Sequence, residues 1–114
     1  MTVQEVVDAL SLKVLAGTHV LGRTVTGGYA CDLLSCVMAG AQSGHIWVTM
    51  QGHPNVVAVA SLLGLAAVVV SEGSPVEPVT IQRADENGIA LLATAHDTFT
   101  TVTKLAALGI QGAR

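Results

Sequence analysis

The sequence predicts an α/β protein with three layers, α/β/α, in which helices cover both faces of a largely parallel central sheet. Apolar runs of strand length at 66–71 and 89–94 are rich in Val, Ile and Leu, as is typical of strands buried on both faces of a parallel sheet. Helical patterns alternate with these strands, so the last three strands should be parallel. At 114 residues, 51% of them hydrophobic but only 3% aromatic, the chain suits a single domain, 1–114, with a core of small aliphatic side chains.

The first half of the chain predicts a helix, two short strands and a second helix. Thr2 and Glu5 have capping-box spacing, and apolar residues follow at helical spacing: Val3, Val6, Val7 and Leu10. Residues 12–17 predict a strand, and 23–32 predict another that is interrupted by a tight turn or bulge at Gly27-Gly28. Asp32 should cap the second helix, which runs to about residue 41. Its expected inward face is Leu33, Leu34, Val37, Met38 and Ala41.

The second half predicts three strand–helix units. A strand at 45–50 leads into a helix with Pro54 at its first position and His53 in the cap region, and this helix ends near Gly64. After the strand at 66–71, Pro78 opens a polar helix that ends at 87–88. After the strand at 89–94, Asp97 or Thr98 caps the last helix. Its expected inward face is Phe99, Val102, Leu105 and Ala106.

Charge and length exclude several classes of partner. The net charge is −3 and the five basic residues are dispersed, so we expect no binding to nucleic acid. The longest apolar run, 56–70, is shorter than the roughly 20 residues that a membrane helix needs. It is also interrupted by Ser61 and Gly64, so we expect no membrane contact. Without a signal-peptide pattern, we expect a cytoplasmic protein. Cys31 and Cys36 form no CxxC pair and the four histidines form no i, i+4 pair, so we expect no metal and no cofactor.

A long segment lacks charge altogether. Between Asp32 and Glu72 there is no Lys, Arg, Asp or Glu, although the segment includes two predicted helices. The second of these, after His53, is apolar nearly all round and is not expected to face water. In so short a chain little remains to cover it, so we expect self-association, as a homodimer.

A candidate ligand site is predicted at the carboxyl ends of the parallel strands, where the loops 51–55, 71–75 and 95–99 should converge. Two of these loops lead into helix N-termini, which attract anions. The candidate ligand-binding residues are Gly52, His53, Asn55, Ser71, Glu72, Gly73, Asp97 and Thr98. Asn55, Asp97 and Thr98 are also ordinary capping residues, so a purely structural role is the alternative. Acid–base catalysis by His53 or His96 with Asp97 is a third hypothesis, and we expect no enzyme activity.

Two segments resemble a known family: "GGYACDLLSCVMAGAQSGHIWVTMQGHPNVVAVASLLGLAAVVVSEG" and "IALLATAHDTFTTVTKL". They are similar to the DRTGG domain family and, more remotely, to the N-terminal domain of HPr kinase. The resemblance implies the three-layer fold of the MurF and HPr kinase N-terminal domains. It also implies a module without established catalytic activity, often appended to larger enzymes such as phosphotransacetylases and found in pyrophosphatases.

The family motif is only partly retained. The Asp-Arg of the family falls at His53-Pro54, and its Thr-Gly-Gly falls at Ser71-Glu72-Gly73. Loss of the arginine removes a bidentate anion contact. The leading hypothesis is therefore a non-catalytic regulatory or interaction module that self-associates and acts with a partner enzyme. The alternative is a domain that binds a small anionic ligand, such as a nucleotide or a phosphometabolite, at the strand ends.

Overall fold

The computed structural model describes residues 1–113, and helices alternate with strands along the chain. The helices are α1 Val3–Leu10, α2 Leu34–Gly40, α3 Asn55–Leu63, α4 Pro78–Glu86 and α5 Thr98–Ala107. The strands are β1 Lys13–Ala16, β2 Gly27–Ala30, β3 His45–Thr49, β4 Ala67–Val70 and β5 Ala90–Ala93. Within the described residues, every helix is too short or too polar to cross a membrane.

The five strands form one sheet in the order β1-β5-β4-β3-β2. Strands β2 to β5 are mutually parallel, which confirms the prediction for the last three strands. Strand β1 pairs antiparallel with β5, and a bulge shifts its register between Val14 and Ala16. The carboxyl ends of the four parallel strands therefore share one edge of the sheet, with the start of β1 beside the end of β5.

Helices cover both faces of the sheet, as the three-layer prediction requires. Side chains alternate along β3, so that Ile46 and Val48 pack in one core with α1 and α5, while Trp47 packs in the other with α2, α3 and α4. All of β4 is buried, because both of its faces are covered. Within residues 1–113, Trp47 is the only fully buried aromatic residue, so both cores consist mainly of aliphatic side chains, as the composition predicts.

The start of α2 differs from the prediction. Asp32 does not cap the helix; its Oδ1 instead accepts hydrogen bonds of 2.8 Å from the Thr49 hydroxyl and from the backbone N–H of Met50. The carboxylate thus connects the ends of β2 and β3, and α2 begins without a side-chain cap. Of the predicted inward face, Val37 and Ala41 are buried, whereas Leu33 and Met38 are 61% and 49% exposed.

The inward face of α5 was predicted only in part: Leu105 is buried as expected, and the cap at Asp97 is confirmed, but Val102 and Ala106 are exposed. Phe99 is 81% exposed, and Thr101 and Leu105 are the buried residues of this helix. Thr101 can be buried because its hydroxyl donates to the backbone carbonyl of Asp97, 2.8 Å away. The sequence pattern assigned the inward face to hydrophobic residues and missed this locally satisfied hydroxyl.

Gly27 and Gly28 lie inside β2 and not in a turn or bulge. A β-carbon at Gly27 would lie 2.9 Å from the Nε2 atom of His45 and 2.9 Å from the carbonyl oxygen of Gln111. The backbone N–H of Gly28 donates to that same carbonyl at 2.9 Å. Glycine is therefore required here for close packing against β3 and against the segment after α5.

Candidate functional site

The three predicted loops do converge at the carboxyl ends of the strands. Backbone hydrogen bonds hold them together: Glu72 N–H donates to His96 O at 2.7 Å, and Ser71 N–H donates at 2.9 Å to the carbonyl of Thr49 at the end of β3. The loop between β3 and α3 is also held by Glu77, whose N–H donates to Gly52 O at 3.2 Å. The edge is therefore a connected surface in which each loop restrains its neighbour.

Ser71 and Thr98 are bonded to each other. Ser71 is completely buried, and its Oγ lies 2.8 Å from the Thr98 Oγ1. This hydrogen bond joins the end of β4 to the start of α5. Both hydroxyls therefore have a partner within the chain.

Two of the chain's own carboxylates occupy the N-terminus of α5. Glu72 accepts a hydrogen bond of 2.6 Å from the backbone N–H of Thr98, and Asp97 accepts one of 2.8 Å from that of Thr100. Hydrogen bonding by the side chain and the backbone of Thr100 lowers the pKa of Asp97, because it stabilises the charged carboxylate. An anion bound here would meet negative charge and N–H groups that are already paired.

Glu72 adopts an unusual backbone conformation to reach that position. Its φ is +66°, in the left-handed region that favours glycine, and Gly73 follows with φ +61°. The carboxylate thus comes from a position where the backbone itself favours glycine.

Gly52 connects two loops through its backbone. Its carbonyl accepts a hydrogen bond of 2.7 Å from the buried hydroxyl of Thr80. A β-carbon at this position would lie only 2.1 Å from the carbonyl oxygen of Pro75 and 2.7 Å from the Cα of Val76. Glycine is required here because the two loops touch backbone to backbone.

His53 and Asn55 lie at the start of α3 and are exposed. The Nδ1 atom of His53 accepts a hydrogen bond of 3.0 Å from the backbone N–H of Asn55, so the imidazole acts in the cap region as predicted. Pro54 is the capping residue itself, one position before its predicted place. A crevice of about 740 Å³ lies beside His53, between residues 50–53 and 74–78, and Glu77 is its only acidic residue.

A second crevice of about 600 Å³ lies at the same edge, between β1, the end of β5 and the loop after β4. Hydrophobic side chains of Leu10, Leu15, Val76 and Ile81 line it, together with Lys13 and His96. Gly73 and His96 were predicted at this edge, whereas Lys13 and Leu15 were not. The antiparallel pairing of β1 with β5 places both residues here, and no local sequence pattern indicates that pairing.

No metal centre is formed by the part of the chain that the structure describes: residues 1–113 contain no group of three or more His, Cys, Asp or Glu side chains that could hold an ion.

The two free thiols are not arranged with a histidine base, as nucleophilic catalysis by cysteine requires. Cys31 is half-buried, with its Sγ 3.8 Å from the carbonyl of Leu33, and Cys36 is exposed on α2. Neither thiol has a histidine among its hydrogen-bond partners.

Comparison with known proteins identifies the fold and the family. The family model of the DRTGG domain matches residues 5–108. Among solved structures, the chain is similar to the crystal structure of the CBS and DRTGG domains of the regulatory region of Clostridium perfringens pyrophosphatase, complexed with the activator diadenosine tetraphosphate. The TM-score is 0.71 at 17% identity, with 91% of this chain covered but only 45% of that one. No curated protein matches the sequence.

Proposed function

Because the chain belongs to the DRTGG domain family, we propose that it is a non-catalytic regulatory module that self-associates through one uncharged surface and acts with a partner enzyme. The DRTGG domain is a regulatory module, and the similar solved structure is the regulatory region of a pyrophosphatase. The proposal includes a single domain over 1–114 and a cytoplasmic location.

The observation that supports self-association is a surface that we call the neutral flank. It consists of the exposed residues of α2 and α3 and the residue before α2, and it contains no charged side chain. Its residues are Leu33, Ser35, Cys36, Met38, Ala39, Asn55, Ala58, Ser61 and Leu62. On the adjacent helix α4, charge returns with Arg83, which borders the flank in a groove beside Leu62.

The flank is more limited than the sequence suggested. The valines of α3 are buried by the sheet and by the neighbouring helices, so this helix does not need a second subunit to cover its whole circumference. The flank instead exposes three large hydrophobic side chains, Leu33, Met38 and Leu62, of which Leu62 is 70% exposed. The flank also exposes small residues such as Ala58 and Ser61, which would let another backbone approach closely.

A second copy of the chain suits this surface because of its charge. Each copy has a net charge of −3, so most ways of bringing two copies together oppose like charges. The neutral flank avoids that repulsion. Two flanks related by a twofold axis would bury Met38 and Leu62 of both subunits in one symmetric interface.

Sedimentation velocity at micromolar concentration tests this proposal. The wild-type chain is expected to sediment as a dimer, at twice the monomer mass of 11.6 kDa. Leu62→Glu should give a monomer, because each interface would acquire two buried, unpaired charges. Phe99→Glu is the matched control, since Phe99 is also exposed but lies on α5, across the sheet from the flank. A wild-type monomer, or a dimer that only Phe99→Glu dissociates, would contradict the proposal.

A second candidate function is the binding of a small ligand at the carboxyl ends of the strands. The two crevices at this edge support it, and the similar pyrophosphatase region was solved with a nucleotide activator. Of the predicted residues, Gly52, His53 and Gly73 line these crevices. Ser71, Glu72, Asp97 and Thr98 are instead hydrogen-bonded within the chain. Thermal shift with nucleotides and phosphorylated metabolites tests this function, and a rise in Tm with ligand concentration is the expected result.

Catalysis by a histidine receives less support from the geometry. The Asp97 carboxylate that would orient the imidazole accepts from the backbone of Thr100, and His53 is bonded to the backbone of Asn55. We therefore include the absence of catalytic activity in the proposal.

A further inference from the structure

We propose that the 600 Å³ crevice, called here the β1 cleft, binds a small amphiphilic anion. Such a ligand has an apolar ring system and one acidic group, for example a carboxylate, sulfonate or phosphate. This inference rests on the second candidate function, for which it names the site and the ligand chemistry. The cleft is bounded by residues 10–15, 73–76 and 93–96, with Ile81 of α4 as the remaining lining residue.

The apolar part of the β1 cleft is a consequence of the bulge in β1. Val14 pairs with Leu92, but the next pair along the strand is Ala16 with Leu91, so Leu15 is an extra residue. A bulge turns two successive side chains to the same face of the sheet. Ala16 enters the core beneath α4, while Leu15 remains half-buried and lines the cleft. Without the extra residue, strict alternation would place only one of these two side chains on this face.

The size of the cleft also matches a small molecule. Leu15, Val76 and Ile81 line the cleft and are each partly buried, so part of their apolar surface is exposed to water. An apolar ring bound in the cleft would cover this surface, which is favourable. A volume of about 600 Å³ lies within the range of small-molecule sites, roughly 300–1,000 Å³.

The charge of the cleft indicates an anionic group on the ligand. Lys13 and His96 line it, and no Asp or Glu does, in a chain with eight acids and only five basic residues. Within residues 1–113, Lys13 forms no ion pair and no side-chain hydrogen bond. A lysine beside half-buried aliphatic surface can pair with an acidic group while its own stem packs on the ring. The cleft is also lined by three residues with hydroxyl groups, Ser11, Ser74 and Thr94.

The other positions at this edge are less suitable for an anion. The α5 N-terminus already holds Glu72 and Asp97. The crevice beside His53 includes Glu77 and has no Lys or Arg. The β1 cleft is the crevice at the carboxyl edge in which a lysine and an apolar wall coincide.

The test is an NMR titration of the isotopically labelled chain with 8-anilinonaphthalene-1-sulfonate, an aromatic anion. We expect amide shifts concentrated at Lys13, Leu15, Ser74, Ala95 and His96. Lys13→Glu should weaken this binding by about tenfold, because attraction becomes repulsion. Lys104→Glu is the matched control: it makes the same charge change on α5, outside the cleft, and should leave the affinity within about twofold of wild type. The uncharged probe N-phenyl-1-naphthylamine should bind both variants equally.

The outcomes separate this site from the function on which it rests. Shifts confined to other surfaces, such as the neutral flank, would overturn the β1 cleft but leave ligand binding as a function. Equal weakening by Lys13→Glu and Lys104→Glu would also overturn the site, because it would show a general charge effect. If neither this probe nor adenosine monophosphate shifts any amide at millimolar concentration, the ligand-binding function fails together with the site.

Discussion

Replacement of Glu72 tests the most unusual feature of the candidate site. Its backbone lies in the left-handed region at φ +66°, and its carboxylate accepts from the N–H of Thr98 at 2.6 Å. Two opposing contributions to stability therefore meet in one residue. The side chain stabilises the start of α5, whereas the β-carbon is strained by the backbone conformation.

The two contributions can be separated with alanine and glycine. A β-carbon in left-handed backbone costs about 1 kcal/mol, and a carboxylate hydrogen-bonded at an exposed helix N-terminus contributes about 1 kcal/mol. Glu72→Ala removes the carboxylate and keeps the strain, so it should destabilise the fold by about 1 kcal/mol. Glu72→Gly removes both, so its stability should remain close to that of the wild type.

Urea unfolding followed by tryptophan fluorescence measures this difference. Trp47 is the only tryptophan, is fully buried and donates its indole N–H to the Cys31 carbonyl at 2.9 Å, so its emission reports the folded core. With a slope of about 1.5 kcal/mol per molar, the midpoint of the alanine variant should fall about 0.7 M below that of the glycine variant. All measurements need one protein concentration, because self-association shifts stability. Equal midpoints for the two variants would refute the argument.

Three further predictions use the same assay. Gly52→Ala should lower stability by about 2 kcal/mol or more, because the new methyl group would clash with the backbone at Pro75 and weaken the Thr80 hydrogen bond. An unchanged midpoint would contradict the close approach of the Gly52 and Pro75 backbones. Burial lowers the pKa of His45 below its usual 6.5, so the folded state favours the neutral ring. Stability should be complete above pH 6.5 and fall as the pH drops through the folded pKa, and His45→Gln should reduce this dependence. Because Thr100 lowers the pKa of Asp97, this residue stabilises the fold above pH 3.8 and loses its effect as the pH falls through the lowered value. Asp97→Asn should keep the cap but remove this acid-dependent loss, and an unchanged acid profile would contradict the assignment.

Most of the fold was predictable because it depends on local pattern. The aliphatic runs at β4 and β5 and the caps at Thr2 and Asp97 are visible in the sequence and occur as predicted. One error arose where a polar side chain bonds to a residue distant in sequence. Asp32 has the position of a helix cap, yet its carboxylate bonds to the end of β3, seventeen and eighteen residues away.

The candidate site was predictable at the level of loops but not of side chains. The parallel order of the strands requires the loops after β3, β4 and β5 to converge, and they do. The sequence could not indicate that Glu72 would adopt a left-handed conformation and fill the α5 N-terminus. Nor could it place Lys13 beside His96, because the antiparallel pairing of β1 with β5 is decided by the tertiary fold.

Intermolecular nuclear Overhauser effects in a mixed sample of labelled and unlabelled chains would show whether a second copy covers the neutral flank. We expect effects between the methyl groups of Met38 and Leu62 on one subunit and protons of α2 and α3 on the other. Intermolecular effects found only at Phe99 or Val102 of α5, or none at millimolar concentration, would contradict the proposal.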